Sequence, residues 1–263
     1  MGPAAESFVA KLAAAARRTI AEGYYRAADG SKLPRRSMRQ ALARSRGTPV
    51  IGEVKFRSPA EGPLRSQGEV GKIAGAYQRG GVVGISVLTE PKHFEGRLEY
   101  VGEVKRATSV PVLMKDIVIN TVQIDAAERV GADAILLMAS IFAAGFGAAS
   151  LERMVEYAHE RRLEVLLEAH TDEEFRASLE TGADLVGINN RDLDTLEVSL
   201  DTSRTLLGRG YDKNSKLVIC ESGISKRSEI LELSSLGADG FLVGSAIMKS
   251  KDPEQAVRSL TGA

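Results

Sequence analysis

Cysteine is almost absent: the 263 residues hold one, Cys220. A single thiol excludes an intrachain disulfide framework and a thiolate metal cluster, and gives no sign of an oxidising compartment. Net charge is absent too. Lys and Arg number 35, as do Asp and Glu, so no basic excess exists to hold nucleic acid or an anionic membrane. No apolar run approaches the ~20 residues that span a bilayer. The leading MGPAAESFVAKLAAAARR carries its basic pair after its apolar part, the reverse of a secretory signal. Histidine is scarce: His93, His159 and His170 show no metal-ligand spacing, and of these only His170 is placed to face a site. A soluble cytoplasmic protein is expected, with no nucleic-acid or membrane partner.

What is present is a core and a rhythm. At 43% hydrophobic and 27% charged residues, the chain can build one large α/β barrel or two modest domains. Residues 7–22 read as an amphipathic helix, with Phe8, Val9, Leu12, Ala15 and Ile20 on one stripe and Ser7 as its cap. A polar segment with Gly30 and Pro34 follows, then a short helix from Ser37 to Arg44. Neither helix has a strand beside it, so residues 1–48 read as an added lid or collar. From Pro49 onward short apolar runs begin at 49, 82, 110, 133, 164, 184, 216 and 239. Helical periods separate them, near 69–80, 97–107, 120–131, 148–161, 172–182, 200–208, 226–237 and 253–260. Strand and helix alternating in this way predict parallel βαβ units.

An internal repeat supports the same reading. Gly131-Ala132-Asp133, Gly182-Ala183-Asp184 and Gly237-Ala238-Asp239 each end a helix and open an apolar run, and Gly80-Gly81 precedes another. Glycine there supplies the left-handed turn that ends a helix. The spacing is about two βα units. A single (β/α)8 TIM barrel over residues 49–263, with an extra N-terminal helical segment, accounts for the length and rhythm. The alternative is a doubly wound open sheet. That fold usually carries a Gly-rich phosphate turn after its first strand, where this chain has Glu53-Val54-Lys55.

Active sites of such barrels lie at the C-terminal strand ends. The polar residues there are Glu53 and Lys55, Lys115 and Asp116, Glu168 and His170, Asn189 with Arg191, and Glu221 with Ser222. Residues two apart on a strand share a face, so Glu53 with Lys55, Glu168 with His170, and Asn189 with Arg191 can all face the axis. Lys115 is central. It ends the apolar run Val110–Met114, and burial there disfavours its charge unless carboxylates answer it. The group suggests acid/base work. The plainer alternative is an ion-pair ring closing the barrel, with Asp116 as its best candidate. Gly223, Gly244 and Ser245, in the last two loops, can bring backbone N–H groups to a phosphate, and a helix starting near Ser245 adds its positive end. Phe94 can cover a ligand or pack its loop. Cys220, beside an inward Glu221, should point to the helix layer.

The motifs GEVKFRSP, SVLTEPKHFEG, PVLMKD, LLEAH, GINNRDL, ESGIS and LVGSAIM, in this order, resemble the indole-3-glycerol phosphate synthase family from Pro49 to the C-terminus. The N-terminal helices fit the segment this family adds before its barrel. The resemblance implies ring closure, decarboxylation and dehydration of 1-(2-carboxyphenylamino)-1-deoxyribulose 5-phosphate, without metal or organic cofactor. It implies a carbon-carbon lyase of tryptophan synthesis, taking a phosphosugar-anthranilate substrate and working as a monomer or weak homo-oligomer. It makes Lys115 the general acid, Glu168 the base, and Lys55 a second acid that also holds substrate. Glu53 and Glu221 then position the lysines, and Asn189 and Ser222 orient the reacting groups. Ser58 and Arg191 meet the substrate carboxylate or its network. Gly223, Gly244 and Ser245 hold phosphate, while Pro59, Phe94, Leu137 and Leu242 line the aromatic pocket. The chain departs from the family where SPSKG reads SPAEG, at Ala60 and Glu61, and where Ile117 replaces a common Phe. Two alternatives are a related phosphosugar barrel such as phosphoribosylanthranilate isomerase, and a barrel that binds without turnover. The first would want a Cys or Asp base at the end of strand one; the second should have lost Lys115 or Glu168.

Overall fold

Eight strands are buried along their length, as parallel strands covered on both faces must be. They are β1 (Val50–Val54), β2 (Gly84–Leu88), β3 (Val112–Lys115), β4 (Ala134–Met138), β5 (Glu164–Ala169), β6 (Leu185–Asn189), β7 (Leu217–Glu221) and β8 (Gly240–Val243). Each pairs in parallel with its neighbours, and β8 pairs with β1, closing the barrel. The computed structural model describes residues 7–26 and 33–263, so Gly30 lies outside the described residues. All eight expected strands form, and the open-sheet alternative is excluded by closure.

Two helices precede β1: α1 (Phe8–Ala21) and α2 (Met38–Ala43). The helices that follow are α3 (Val70–Arg79), α4 (Glu99–Ala107), α5 (Thr121–Val130), α6 (Ala139–Ala143), α7 (Leu151–Glu160), α8 (Asp172–Leu179), α9 (Asp201–Gly208), α10 (Arg227–Ser235), α11 (Ser245–Met248) and α12 (Pro253–Thr261). Local chemistry sets their starts. Ser7 and Ser37 cap α1 and α2, accepting from the backbone N–H of Ala10 and Gln40, and Thr171 with Glu174 forms a capping box on α8.

The inner core runs through the barrel and beyond both ends. Ile51, Leu113, Leu136, Leu166, Ile219 and Leu242 fill the axis, joined by Leu12 and Ala16 of α1 and by Met38 and Leu42 of α2. The N-terminal segment therefore does two jobs. Helix α2 plugs the base, where Met38 and Leu42 occupy the space a Cβ on Gly84 or Gly240 would need. Helix α1 crosses the mouth, with Phe8 and Leu12 facing its cavity.

The Gly-Ala-Asp repeat works through its aspartates. Asp133, Asp184 and Asp239 each accept a 2.8 Å hydrogen bond from a backbone N–H at the start of the preceding strand, that of Val112, Val165 and Val218. Each also meets a cation or histidine: Lys105 at 2.7 Å, His159 at 2.9 Å and Lys213 at 2.7 Å. The left-handed turn is not shared. Gly131 and Gly237 adopt it, Gly182 does not, and at the Gly80-Gly81 pair it falls on Gly81.

Among the described residues only the Lys105–Asp133 pair is fully sealed, both side chains being 0% exposed. Lys105→Met should leave a buried carboxylate without its counter-charge and cost about 3 kcal/mol. A denaturation midpoint equal to wild type would refute that cost.

Candidate active site

Strand alternation turns Glu53, Lys115, Glu168, Asn189 and Glu221 toward the axis at the C-terminal ends. All of them but the fully buried Glu221 line one cavity of about 570 Å³, together with Lys55, Ser58, Pro59, Phe94, Arg191, Ser222, Gly223, Leu242, Gly244 and Ser245. Lys115 is the hub. Its Nζ lies 2.8 Å from Glu221 Oε2, 3.4 Å from Glu53 Oε2 and 3.9 Å from Glu168 Oε2. Glu53 also takes Lys55 at 2.7 Å.

Three carboxylates therefore face two ammonium groups, and their titrations separate. Burial opposes the charge on Lys115, but Glu221, Glu53 and Glu168 outweigh it and hold the ammonium well above the usual lysine range. Burial likewise opposes ionisation of Glu53, yet Lys55 and Lys115 pull it down to about 2. Glu168 goes the other way. Burial and the nearby Glu221 raise it to about 7, with Lys115 and the Asn189 amide only partly offsetting them. The cluster thus contains a permanent cation and a carboxylate poised near neutrality, the pairing that general acid/base chemistry requires.

Three small residues shape this cluster. Ser222 and Gly223 both take left-handed backbone in the turn after β7. On β6, a Cβ at Gly187 would lie 2.3 Å from Glu221 Oε1, so only glycine leaves that carboxylate its place.

Three expectations need correction. Leu137 faces the helix layer, not the cavity, and Leu136 and Met138 line the cavity in its place; the two-residue period of β4 decides this. Asp116 closes no ion-pair ring. It borders the cavity, and its carboxylate accepts from the hydroxyls of Tyr25 and Thr89 and the backbone N–H of Ile117. No cation lies within ion-pair distance of it among the described residues, and burial pushes its carboxyl up to about 6. His170 is not part of the cavity wall. Its Nδ1 lies 2.7 Å from the Asn189 carbonyl oxygen and its Nε2 3.7 Å from Asp192. Cys220 does pack in the helix layer, where burial pushes its thiol up to about 12.

The seven motifs thus converge on one mouth. Residues 8–260 match the family model of indole-3-glycerol phosphate synthase. The chain belongs to that family. A relative so named from Methanopyrus kandleri is 44% identical over 230 residues, covering 87% of this chain and 88% of its own. Another from Aquifex aeolicus is 39% identical over 216 residues, 82% of each chain. Among solved structures, thiamine phosphate pyrophosphorylase from Pyrococcus furiosus matches with a TM-score of 0.60 at 20% identity, over 85% of this chain and 96% of that one. At that identity the likeness concerns the barrel alone.

Set beside the indole-3-glycerol phosphate synthase family, the cavity has walls that strand-end reading does not find. Phe8 and Leu12 come from α1, Leu193, Leu196 and Val198 from the loop after β6, and Lys249 from the end of α11. The stripe on α1 was visible as an apolar face, but its target was not. Ile117, at the position where the family commonly has Phe, lines the same wall and is buried. Helix α11 is a single turn, so charge at the Ser245 corner comes from the Lys249 and Arg191 side chains.

Gly187→Ala should force Glu221 off its place and destabilise the barrel by about 1–3 kcal/mol while leaving its circular dichroism unchanged. An unaltered denaturation midpoint would mean that Glu221 has room to retreat.

Proposed function

We propose that this chain is an indole-3-glycerol phosphate synthase: a carbon-carbon lyase that closes, decarboxylates and dehydrates 1-(2-carboxyphenylamino)-1-deoxyribulose 5-phosphate. The observation that carries the reading is the Lys115 ammonium held among Glu53, Glu168 and Glu221 beneath a cavity with one apolar wall and one cationic corner. The work is that of a cytoplasmic enzyme of tryptophan supply, in which α1 and α2 close the two ends of the barrel formed by 49–263.

The steps follow from the charges. The anthranilate ring packs against Pro59, Phe94, Ile117, Leu136, Met138 and Leu242, and its carboxylate meets Ser58 and Arg191. The phosphate takes backbone N–H groups at Gly223 and Gly244, the Ser245 hydroxyl and Lys249. Between these anchors the sugar carbonyl lies over Lys115. As the ring carbon attacks, Lys115 donates a proton to the carbonyl oxygen, which becomes a hydroxyl. The aromatic carboxylate then leaves as carbon dioxide, and its bonding electrons restore the ring. In the second half Lys55 donates a proton to that hydroxyl, which leaves as water, while ionised Glu168 removes a proton from the methylene carbon between that centre and nitrogen, whose electrons form the indole double bond. Asn189 and Ser222 orient the reacting groups. Glu53 aims both lysines, and Glu221 aims Lys115.

The split in titration gives a pH profile its sign. Glu168 must be ionised to act as base and titrates near 7, so kcat/KM should rise with pH toward about 7 and then level. Lys115 is held charged far above that, so it gives no basic limb below about pH 10. Glu168→Gln should lower kcat by roughly 10²–10⁴-fold, remove the acid limb and leave folding intact. A collapsed melting temperature would make Glu168 a structural residue instead. Lys115→Ala should abolish turnover, followed as indole fluorescence, while phosphate-dependent substrate binding survives. Near-normal kcat in that variant would sink the assignment.

A further inference from the structure

Glu61 is a charged group of the cavity with no part in these steps. Glu61 stands at the tip of a small hairpin, Arg57–Ser58 paired with Gly62–Pro63, in the loop after β1. Its carboxylate reaches across the mouth to the phosphate corner. Oε1 accepts from the Ser245 hydroxyl at 2.8 Å, Oε2 bonds the Lys249 ammonium, and the Arg191 guanidinium lies 3.9 Å from Oε1. Burial opposes its ionisation, but Lys249, Ser245 and Lys55 overcome this and hold the carboxyl below its ordinary range. A carboxylate and a phosphate monoester ask for the same donors. Here the carboxylate already has them.

We propose that Glu61 is an intramolecular competitor for the phosphate subsite: in the free enzyme its carboxylate occupies Ser245 and Lys249, and a phosphate-bearing ligand binds by displacing it. This rests on reading that corner as the phosphate subsite. The tip is built to be displaced. The hairpin is two residues on each side, Gly62 takes left-handed backbone with open space around it, and the Lys249 side chain is 55% exposed. An ion pair so exposed is weak, so the exchange is easily won by a ligand with more charge. A phosphate dianion brings two charges and three acceptor oxygens against one charge and two oxygens. A ligand without phosphate brings nothing to displace Glu61. The exchange therefore weakens substrate and product binding together and leaves ligands without phosphate unaffected.

The size of the effect follows from the fraction of enzyme in which the corner is free. A pair of this exposure limits that fraction to between about a third and a tenth. Lys249 has two partners in turn, Glu61 when the site is empty and phosphate when it is filled. Removing it from the wild-type enzyme loses both contacts, and the losses partly cancel. In a Glu61→Gln background only the phosphate contact is lost.

Titration calorimetry with inorganic phosphate at low salt, on the full chain, tests this. Glu61→Gln and Glu61→Ala should each bind phosphate about three- to tenfold tighter than wild type. In steady-state assays of Glu61→Gln, KM for the anthranilate-derived ribulose phosphate should fall by a similar factor. Lys249→Ala should weaken phosphate binding more in the Glu61→Gln background than in wild type. If Glu61→Gln leaves phosphate affinity unchanged or weaker while Lys249→Ala weakens it, Glu61 does not compete, and only the phosphate corner stands. If Glu61→Gln, Lys249→Ala and Ser245→Ala all leave it unchanged, phosphate binds elsewhere, and both the exchange and the subsite are wrong.

Discussion

The site depends on one buried cation. Lys115 sits under the mouth with three carboxylates around it, and none of the four could keep its charge there alone. Removing an isolated ion from water costs several kcal/mol even after relaxation, and a close counter-ion is what offsets it. The distances decide how the charge is shared. Glu221 lies nearest Lys115, and Glu53 meets both Lys115 and Lys55, so both are well partnered. Glu168, at 3.9 Å, is the least well partnered of the three. With two ammonium groups against three carboxylates, it is the one that takes the proton. The same imbalance that leaves Glu168 near neutrality keeps Lys115 charged, so acid and base arise from one arrangement.

That arrangement needs a dry and rigid surround, and the N-terminal segment supplies part of it. Helix α2 seals the base with Met38 and Leu42. Helix α1 lays Phe8 and Leu12 over the mouth. Between them, the hydroxyl of Tyr25 reaches Asp116, the residue next to Lys115. An aspartate expected to close an ion-pair ring serves instead as the tie between the helical segment and the end of β3. Further down, the repeated aspartates fix the starts of β3, β5 and β7 by taking their backbone N–H groups. The barrel is thus clamped at its base by charge and hydrogen bonds, and kept free at its mouth for chemistry.

At the Ser245 corner the charge comes from long side chains on the rim. Ser245 opens a helix of only one turn, so Lys249 and Arg191 carry the positive charge, and Glu61 meets both. A site whose cations are already answered by the protein's own carboxylate differs from one held open and bare. In the proposed exchange, anion affinity is set by competition with Glu61 and is adjustable through that single residue at a hairpin tip.

Much of this was legible in the chain. Eight apolar runs separated by helical periods carried the fold class, because parallel strands buried on both faces show as continuous runs. Lys55, Lys115, Glu168 and Glu221 stood out because charged residues at the ends of such runs have no cheap explanation. The misses share a physical cause. Leu137 was placed one residue out of register on β4, and a period of two turns such a slip into the opposite face. His170 was assigned inward, and Asp116 to an ion-pair ring, from their place at a strand end, where the backbone leaves the strand and alternation no longer holds. Phe8, Leu12 and Lys249 could not be assigned at all, since what they line is set by packing between segments far apart in the chain. The sequence by itself determined which strands form and which chemical groups stand at their ends, through periodicity and the cost of burying charge. Only the tertiary structure decided which of those groups meet, at what distance and hence with what charge, because Coulomb interactions depend on separations that closure of the barrel creates.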